Sequence, residues 1–441
     1  MKTIIIGGSA TGMGVASRLK RNNPEAQIVV YQEKDYVSLG ACGLPYFVSN
    51  NFDDKNMLIA RTIEAFEKTG ITIHNNTVVE RIDFENKTIY FNQGQDSYDE
   101  LVIATGAKPF IPQIEGILLE NIHTITTLED GVILKDKFNN DQNINKIAIV
   151  GAGFIGLEMT EALKELNKEV YLIEMEERVS PKVFDKEISD LIEDKLKEHD
   201  VHLMLNSKVT KIIGDSKVEK ICIDDNQEIA VDAVIFAAGF KPNTDFIGDQ
   251  ILKLRNGAIL VDQKGKTNID HVWSAGDCAS SKDFITGEDI YSPLATVAAK
   301  FARVIADNIS NKEAIFSGSI RSAIVRVFDL EIARTGISEV EAKQKAIDIK
   351  TVFIKDKDHT HYLKGQSDLY LKLIVDVKNN VIIGGQMVGK NKSVLRIDAI
   401  ATMIWTKAPL NSVLEQVDLV YAPPFAKTTD IIHIAISTLL K

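Results

Sequence analysis

The chain has 441 residues, too many for one ordinary domain and suggestive of roughly three units of ~150 residues. Its 62 acidic and 51 basic side chains give a net charge of −11, a surface that repels a nucleic-acid backbone and excludes nucleic acid as the expected partner. Nothing approaches the ~18 continuous apolar residues of a membrane span, and the run Ile4-Ile5-Ile6 ends at Gly7-Gly8 too soon for a signal peptide, so a cytoplasmic protein with no membrane partner is expected.

In chain order, Thr3-Ile4-Ile5-Ile6-Gly7-Gly8-Ser9-Ala10-Thr11-Gly12 reads as a buried strand, a glycine turn and the start of a helix that runs through Arg21. A second strand at 28–31 completes a βαβ unit and ends in Gln32-Glu33. Ser38-Leu39-Gly40-Ala41-Cys42-Gly43-Leu44-Pro45-Tyr46 follows, with Pro45 in what reads as the first turn of a helix. Alternating patterns at 71–73, 78–89 and 201–218 suggest inserted antiparallel strands. Residues 147–156, ending in Gly151-Ala152-Gly153-Phe154-Ile155-Gly156, open a second βαβ unit, with a helix to about Leu166 and a strand at 170–173. Thr267-Asn268-Ile269 leads through Trp273-Ser274-Ala275 to Gly276-Asp277, and a helix carrying Thr296 is expected from about Pro293. Past about residue 313 strands at 322–328, 350–353, 369–375 and 381–387 alternate with helices near 338–345 and 393–405, a separate α+β region. No low-complexity segment or short repeat interrupts the chain.

Glycines at a strand–helix turn let the backbone approach a pyrophosphate lying at a helix N-terminus, whose dipole favours an anion. Gly151, Gly153, Phe154, Ile155 and Gly156 are therefore expected at one dinucleotide, with Glu174 on the ribose 2′-hydroxyl, which favours NADH over NADPH. The first turn (Gly7, Gly8, Ser9, Ala10, Gly12) has serine for the second glycine, and its ribose partner is Glu33 or Gln32, with Glu33 preferred. The three cysteines, Cys42, Cys222 and Cys278, form no CxxC and no metal-ligand spacing, so no disulfide scaffold and no metal are expected. Cys222 reads as a packing residue, whereas Cys42, at or near a helix N-cap, sits where a thiol pKa is lowered.

Gly276-Asp277 resembles the second FAD motif of flavoproteins with two dinucleotide-binding domains, which implies that Asp277 holds the ribityl chain. Ala104-Thr105-Gly106 and Ala237-Ala238-Gly239-Phe240-Lys241-Pro242-Asn243 resemble their crossover segments, adding Thr105 and Gly106 to the FAD site and Gly239 to the NAD site. The order of parts along the whole chain resembles the pyridine nucleotide–disulfide oxidoreductases. That resemblance implies an α/β protein with a discontinuous FAD domain (1–112 and 240–313), an NAD domain (113–239) and a C-terminal α+β dimerisation domain (314–441), assembled as a homodimer. The CxxxxC pair of the disulfide reductases is absent, so Cys42 resembles the single cysteine of the branch comprising coenzyme A-disulfide reductases, NADH oxidases and NADH peroxidases.

Within that branch, Ala10 stands where peroxidases and many oxidases have a histidine, and Tyr421-Ala422-Pro423-Pro424-Phe425 matches a segment of coenzyme A-disulfide reductases. The resemblance makes Tyr421 a proton donor to a leaving thiolate, against the alternative of a tyrosine packed at an interface. Arg18 and Arg21 share a helix face, suited to the phosphates of coenzyme A or equally to plain solvation, and the resemblance adds Ser38 to that site. Two departures are Ala41 in place of asparagine, and His361-Tyr362-Leu363-Lys364-Gly365 in place of Tyr-Tyr-Pro-Gly. The leading expectation is an FAD-dependent NADH:coenzyme A-disulfide reductase. The alternatives are a water-forming NADH oxidase, in which O2 is the acceptor and Cys42 cycles through a sulfenic acid, and an electron-transfer or redox-sensing flavoprotein. The chain ends at Lys441 with no rhodanese-like domain, so nothing in it points to persulfide reduction.

Overall fold

The computed structural model describes residues 1–441. They form two compact units, one of Met1–Phe110, Ile125–Lys135 and Gly239–Ser319, the other of Ile111–Thr124, Asp136–Ala238 and Ile320–Lys441.

In the first unit the strand Lys2–Ile6 runs through the middle of a five-stranded parallel sheet. Its order is Val272–Ser274, Glu100–Ile103, Lys2–Ile6, Gln27–Tyr31, Thr72–His74. Ile4 and Ile5 are fully buried, as a strand covered on both faces requires, and each such side chain contributes roughly 1.5–3 kcal/mol. The helices Ala10–Asn22 and Ala295–Ile309 pack closely, because a Cβ on Gly14 would stand only 3.1 Å from the Ala302 methyl. A separate antiparallel sheet is made of Val79–Asp83, Thr88–Phe91 and Gly94–Ser97.

The second unit repeats the plan around Lys146–Val150, in the order His202–Met204, Glu169–Ile173, Lys146–Val150, Ala233–Phe236, Ile122–His123. It too carries a three-stranded antiparallel sheet, Val209–Ile213, Lys220–Ile223 and Gln227–Ala230. The expectation of antiparallel strands is corrected at two places: Thr72–His74 and His202–Met204 pair in parallel with their neighbours. Both are edge strands, and the alternation read from the sequence reflects one exposed side at the sheet edge, as in the exposed–buried–exposed pattern of Thr72–His74.

The remainder of this unit is an antiparallel sheet ordered Ala323–Val327, Leu330–Gly336, Val381–Gly389, Asp368–Asp376, Ile349–Lys357, carrying the helices Ile397–Trp405 and Ile431–Leu440. Leu330–Gly336 and Ile431–Leu440 were not expected from the sequence. No helix of the chain is long and apolar enough to cross a membrane.

One ion cluster, buried at Lys372 and Asp185, ties the helix Lys186–Glu198 to the C-terminal sheet of this unit. Asp185, which precedes the helix Lys186–Glu198, receives the backbone N–H of Glu339 and Val340 and the Gln386 amide. Lys372, with 2% of its side chain exposed, lies 2.6 Å from Glu339, 2.9 Å from Glu187 and 3.5 Å from Asp185. Burial pulls the ammonium pKa down, but the bonds to Glu339 and Glu187 and the charges of Asp185 and Glu187 outweigh it, and the net shift is upward. Removing one partner of a buried cluster strands the opposite charges, at a cost of about 3–5 kcal/mol. Lys372→Met is expected to destabilise the protein by that amount in urea denaturation; a change below ~1 kcal/mol would show the cluster to be dispensable.

Candidate active site

The first glycine turn is built by contacts that admit no side chain. A Cβ on Gly7, which has φ +104°, would lie 2.2 Å from the Ala104 carbonyl oxygen, and one on Gly12 would lie 1.9 Å from that of Gly7. Ser9 is the N-cap of the 13-residue helix that follows, and its hydroxyl makes no capping bond. Ser9 and Ala10 are exposed. Gly8 donates its N–H to Gln32 Oε1 at 2.8 Å, and Gln32 Nε2 donates to the Tyr36 carbonyl. Gln32 thus braces the turn from the end of the second strand, while Glu33 is exposed.

Around this turn the structure assembles most of the residues expected at one dinucleotide. Gly276 (φ +82°) packs on Thr11, whose hydroxyl would lie 2.3 Å from an added Cβ. The neighbouring Asp277 has its carboxyl pKa raised by burial alone, with no cation or donor offsetting it. A desolvated carboxylate of this kind fits hydrogen-bonding hydroxyls such as a ribityl chain. Thr105 donates to the Asn243 carbonyl at 2.7 Å and Gly106 (φ +66°) follows, with nothing within 4 Å of where its Cβ would stand. They lie where the strands Ala107–Pro109 and Phe240–Pro242 pair antiparallel. The expected helix starts at Ala295 and places Thr296 exposed in its first turn.

The cysteine segment is anchored to the same turn. Ser38, in a left-handed conformation at φ +55°, donates its N–H to the Gly8 carbonyl at 2.9 Å. Gly40 N–H bonds the Leu58 carbonyl, and Cys42 follows, exposed, in the single 3-10 turn Ala41–Gly43. The helix begins just after that turn, with Gly43 as N-cap and Pro45 in the first turn, and is only Leu44–Val48. Cys278 is wholly buried and Cys222 half-buried in the second unit's antiparallel sheet. Arg18 is engaged by a fork of two bonds to Asp307, at 2.8 and 2.9 Å, whereas Arg21 is exposed.

In the second unit the turn Gly151–Gly156 repeats the first. A Cβ on Gly156 would lie 1.9 Å from the Gly151 carbonyl oxygen, while Gly153, the N-cap of Phe154–Glu165, has open space where its Cβ would stand. The brace is now Glu174, which accepts the Ala152 N–H at 2.8 Å and the Glu176 N–H at 3.1 Å. Phe154 and Ile155 form the first helical turn. Gly239 (φ +104°) belongs to the first unit, one residue beyond Ala238. Both turns therefore stand at the N-terminus of a long helix, the first with Ser9 and Ala10 exposed and the second with open space at Gly153, a setting that suits a pyrophosphate.

Glu158 was not singled out in the sequence, and Tyr362 was noted only as part of a segment that departs from the family's pattern. Glu158, on the helix after the second turn, has its pKa pushed up to about 7, by burial first and by the charge of Glu161 second. Perturbed carboxyls cluster at functional sites; the signal available in the sequence was a glutamate just past the last glycine. Tyr362 is the neighbour that raises the Tyr421 pKa. Tyr421 is otherwise exposed, on a loop near the end of the second unit.

Known proteins resemble the chain along most of its length. Residues 1–301 match the family described as "Pyridine nucleotide-disulphide oxidoreductase", and residues 322–430 match its dimerisation domain. A Pyrococcus horikoshii protein named "NAD(P)H coenzyme A polysulfide/persulfide reductase" is 36% identical over 97% of this chain and 96% of its own length. The solved NAD-dependent persulfide reductase from A. fulgidus aligns at a TM-score of 0.95 and 36% identity, over 100% of this chain and 83% of that one. The water-forming NADH oxidase from Lactobacillus brevis, solved bound to NADH, aligns at 0.95 and 26% identity, over 100% and 98%.

Because Gln32 and Glu174 make the same bond in the two turns, Glu174→Gln is expected to keep the fold and drop only the charge. The ratio of kcat/KM for NADPH to that for NADH should rise about tenfold, the equivalent of ~1.4 kcal/mol; an unchanged ratio in steady-state assays would show that the carboxylate does not select the cofactor. Glu158 binds its proton more tightly folded than unfolded, so its stabilising effect is present at low pH and is lost as pH rises toward 7. Glu158→Gln should therefore raise stability at pH 8 by on the order of 2 kcal/mol and leave it nearly unchanged at pH 5, measured by urea denaturation.

Proposed function

The chain belongs to the pyridine nucleotide-disulphide oxidoreductase family and is an FAD-dependent NAD(P)H oxidoreductase, and on that premise we propose that it uses NADH to reduce a coenzyme A-linked sulfur–sulfur bond through Cys42. The observation that carries this reading is the setting of Cys42: exposed, in a turn anchored to the first glycine turn, with Cys278 buried and Cys222 in a different sheet. Cys278 is buried and Cys222 lies in the second unit's antiparallel sheet, so in this reading the second sulfur comes with the substrate.

In this reading Gly7, Gly8, Ser9, Ala10, Gly12, Thr105, Gly106, Gly276, Asp277 and Thr296 hold FAD, with Glu33 or Gln32 toward its ribose. Gly151, Gly153, Phe154, Ile155, Gly156, Glu174 and Gly239 serve NADH. When bound, FAD supplies the relay that carries two electrons from NADH to the cysteine sulfur. The Cys42 thiolate attacks one sulfur of RS–SR′, forming a Cys42 mixed disulfide and expelling R′S⁻. In the homodimer the Tyr421 hydroxyl of one protomer meets that charge in the other protomer's site as a hydrogen-bond donor, and the thiolate takes its proton from solvent. Two electrons then split the mixed disulfide to RS⁻, which is protonated, and the regenerated Cys42 thiolate. The sum is NADH + H⁺ + RSSR′ → NAD⁺ + RSH + R′SH, which describes coenzyme A disulfide and, with R′ as hydrogen, a coenzyme A persulfide.

The name of the Pyrococcus horikoshii relative supports coenzyme A and adds persulfide to the acceptors, which the sequence alone had not suggested. Ala10 supports a sulfur acceptor by leaving the first turn without a histidine. Exposed Arg21 and half-buried Ser38 remain the proposed contacts for coenzyme A; Arg18 is already paired with Asp307. The protein acts in the cytoplasm as a homodimer formed by residues 314–441. The likeness to a water-forming NADH oxidase favours a second reading, in which Cys42 reduces oxygen through a sulfenic acid.

Anaerobic NADH oxidation driven by coenzyme A disulfide or persulfide, set against oxygen uptake, decides between them. Cys42→Ser should lower disulfide turnover at least ~100-fold while NADH still bleaches the flavin absorbance. Inert sulfur acceptors, with rapid oxygen consumption and no peroxide, would replace the first reading with the second.

A further inference from the structure

Two loops of the second unit each carry an exposed phenol, Tyr421 in the stretch 417–425 and Tyr362 in the stretch 358–365, and Tyr362 is the neighbour that raises the Tyr421 pKa. Neither stretch contains helix or strand, so a few specific bonds must hold the contact. The most connected of these comes from Arg396, whose side chain is 17% exposed. Its Nη2 donates to the Asp358 carbonyl at 3.0 Å and to the Phe425 carbonyl at 2.6 Å, joining the two loops through a single nitrogen. Asp358 lies four residues before Tyr362, and Phe425 four after Tyr421.

The rest of the guanidinium is fixed to rigid structure. Nε donates to Asp430 Oδ2 at 2.7 Å, and Nη1 to the Ser393 carbonyl at 2.9 Å. Asp430 is itself buried and caps the helix Ile431–Leu440, its other oxygen accepting the Ile432 N–H. Lesser bonds add to these, among them the Thr360 N–H to the Pro423 carbonyl at 3.4 Å, which a substitution of the Thr360 side chain leaves in place. Thr360 Oγ1 donates to the Pro423 carbonyl at 3.0 Å, His433 Nε2 donates to the Val417 carbonyl at 2.8 Å, and Asn391 donates to Asp358 Oδ2. A planar fork satisfies an acid and three carbonyls in different directions; a lysine ammonium at the end of its stem addresses one place at a time.

We propose that Arg396 is a positioning residue for the reaction: its guanidinium locks the 358–365 loop to the 417–425 loop and so sets the Tyr362–Tyr421 contact that aims the Tyr421 hydroxyl at the leaving thiolate. The proposal rests on the reading that Tyr421 serves that thiolate.

The test uses the purified holoenzyme with Arg396→Lys, Thr360→Val, Tyr421→Phe and the double variants. Thr360→Val removes a loop-to-loop bond without touching the helix cap, and so remains informative if Arg396→Lys folds poorly. Ultraviolet phenol titration of each variant against its Tyr421→Phe counterpart isolates one tyrosine among the chain's 10. In Arg396→Lys the Tyr421 ionisation should fall toward the ordinary phenol value near ~10. Turnover with coenzyme A disulfide should drop about tenfold in kcat, with flavin reduction by NADH unchanged in stopped flow. The same substitution in a Tyr421→Phe background should cost nothing further. Thr360→Val should move both readouts the same way by less. An unshifted phenol titration in both loop variants, or losses that add to those of Tyr421→Phe, would overturn the proposal. Full disulfide turnover in Tyr421→Phe beside a shifted phenol in Arg396→Lys would instead remove the catalytic reading of Tyr421 and leave only the structural lock.

Discussion

The two nucleotide sites depend on one steric constraint, the contact of backbone against backbone at the glycine turns. A hydrogen in place of a side chain at Gly12 and Gly156 allows the helix to begin within 1.9 Å, Cβ-equivalent, of the carbonyl oxygen of Gly7 and Gly151. No side chain can shift far enough to relieve such a contact, so the turn closes with glycine or not at all. Once closed, it aims a long helix N-terminus at open space, and other parts of the first unit register against it. Thr11 fits under Gly276, which brings Asp277 alongside, and the Gly8 carbonyl receives Ser38 and thereby anchors the loop that ends in Cys42.

The duplicated turn also separates two duties usually assigned to one acidic residue. Glu174 and Gln32 occupy matching positions and make the same bond, to Ala152 N–H and to Gly8 N–H. The geometric duty is therefore met by an amide as well as by a carboxylate. What remains specific to Glu174 is its charge, which in the proposed NADH site would repel a 2′-phosphate. In the first turn that charge is absent from the bracing position, and the nearest carboxylate in the chain, Glu33, is exposed at the strand end. The brace was not legible in advance because a sequence shows which residue follows a strand but not which backbone donor it will satisfy.

Elements whose period matches their burial were legible. The two buried strands with their turns and helices lie within a residue or two of their expected places, whereas the strand expected from Thr267 to the Gly-Asp motif is only Val272–Ser274. Elements stabilised by long-range compensation were not. Leu330–Gly336 is a buried strand interrupted by Glu331 and Arg334, which a local pattern reads as surface. Arg334 is nonetheless 5% exposed, its charge met by the carbonyls of Val183 and Gly336. The edge strands failed differently, because alternation reports one exposed side and cannot distinguish a parallel edge from an antiparallel hairpin. Ile431–Leu440 does carry a start signal, Asp430 before an apolar run.

The chemistry of Tyr421 is constrained further by its partner. Hydrogen bonding to Tyr362 raises its pKa above that of an ordinary phenol, which is near ~10, whereas a thiol such as that of cysteine ionises near ~8.5. Full proton transfer from this tyrosine to a departing thiolate is then unfavourable by more than about tenfold in the equilibrium constant. A raised pKa suits a hydroxyl that keeps its proton throughout the neutral range and donates a hydrogen bond as charge develops on sulfur. Such a group works through direction rather than acidity, since a hydrogen bond weakens steeply with misalignment. On an exposed loop without regular structure, direction has to be imposed from outside the loop. The bonds from Arg396 and His433, both tied to the helix Ile431–Leu440, supply it. In this reading the electron chemistry of Cys42 is set by a turn held on glycines, and the charge left on the departing sulfur is met by a phenol held on a guanidinium.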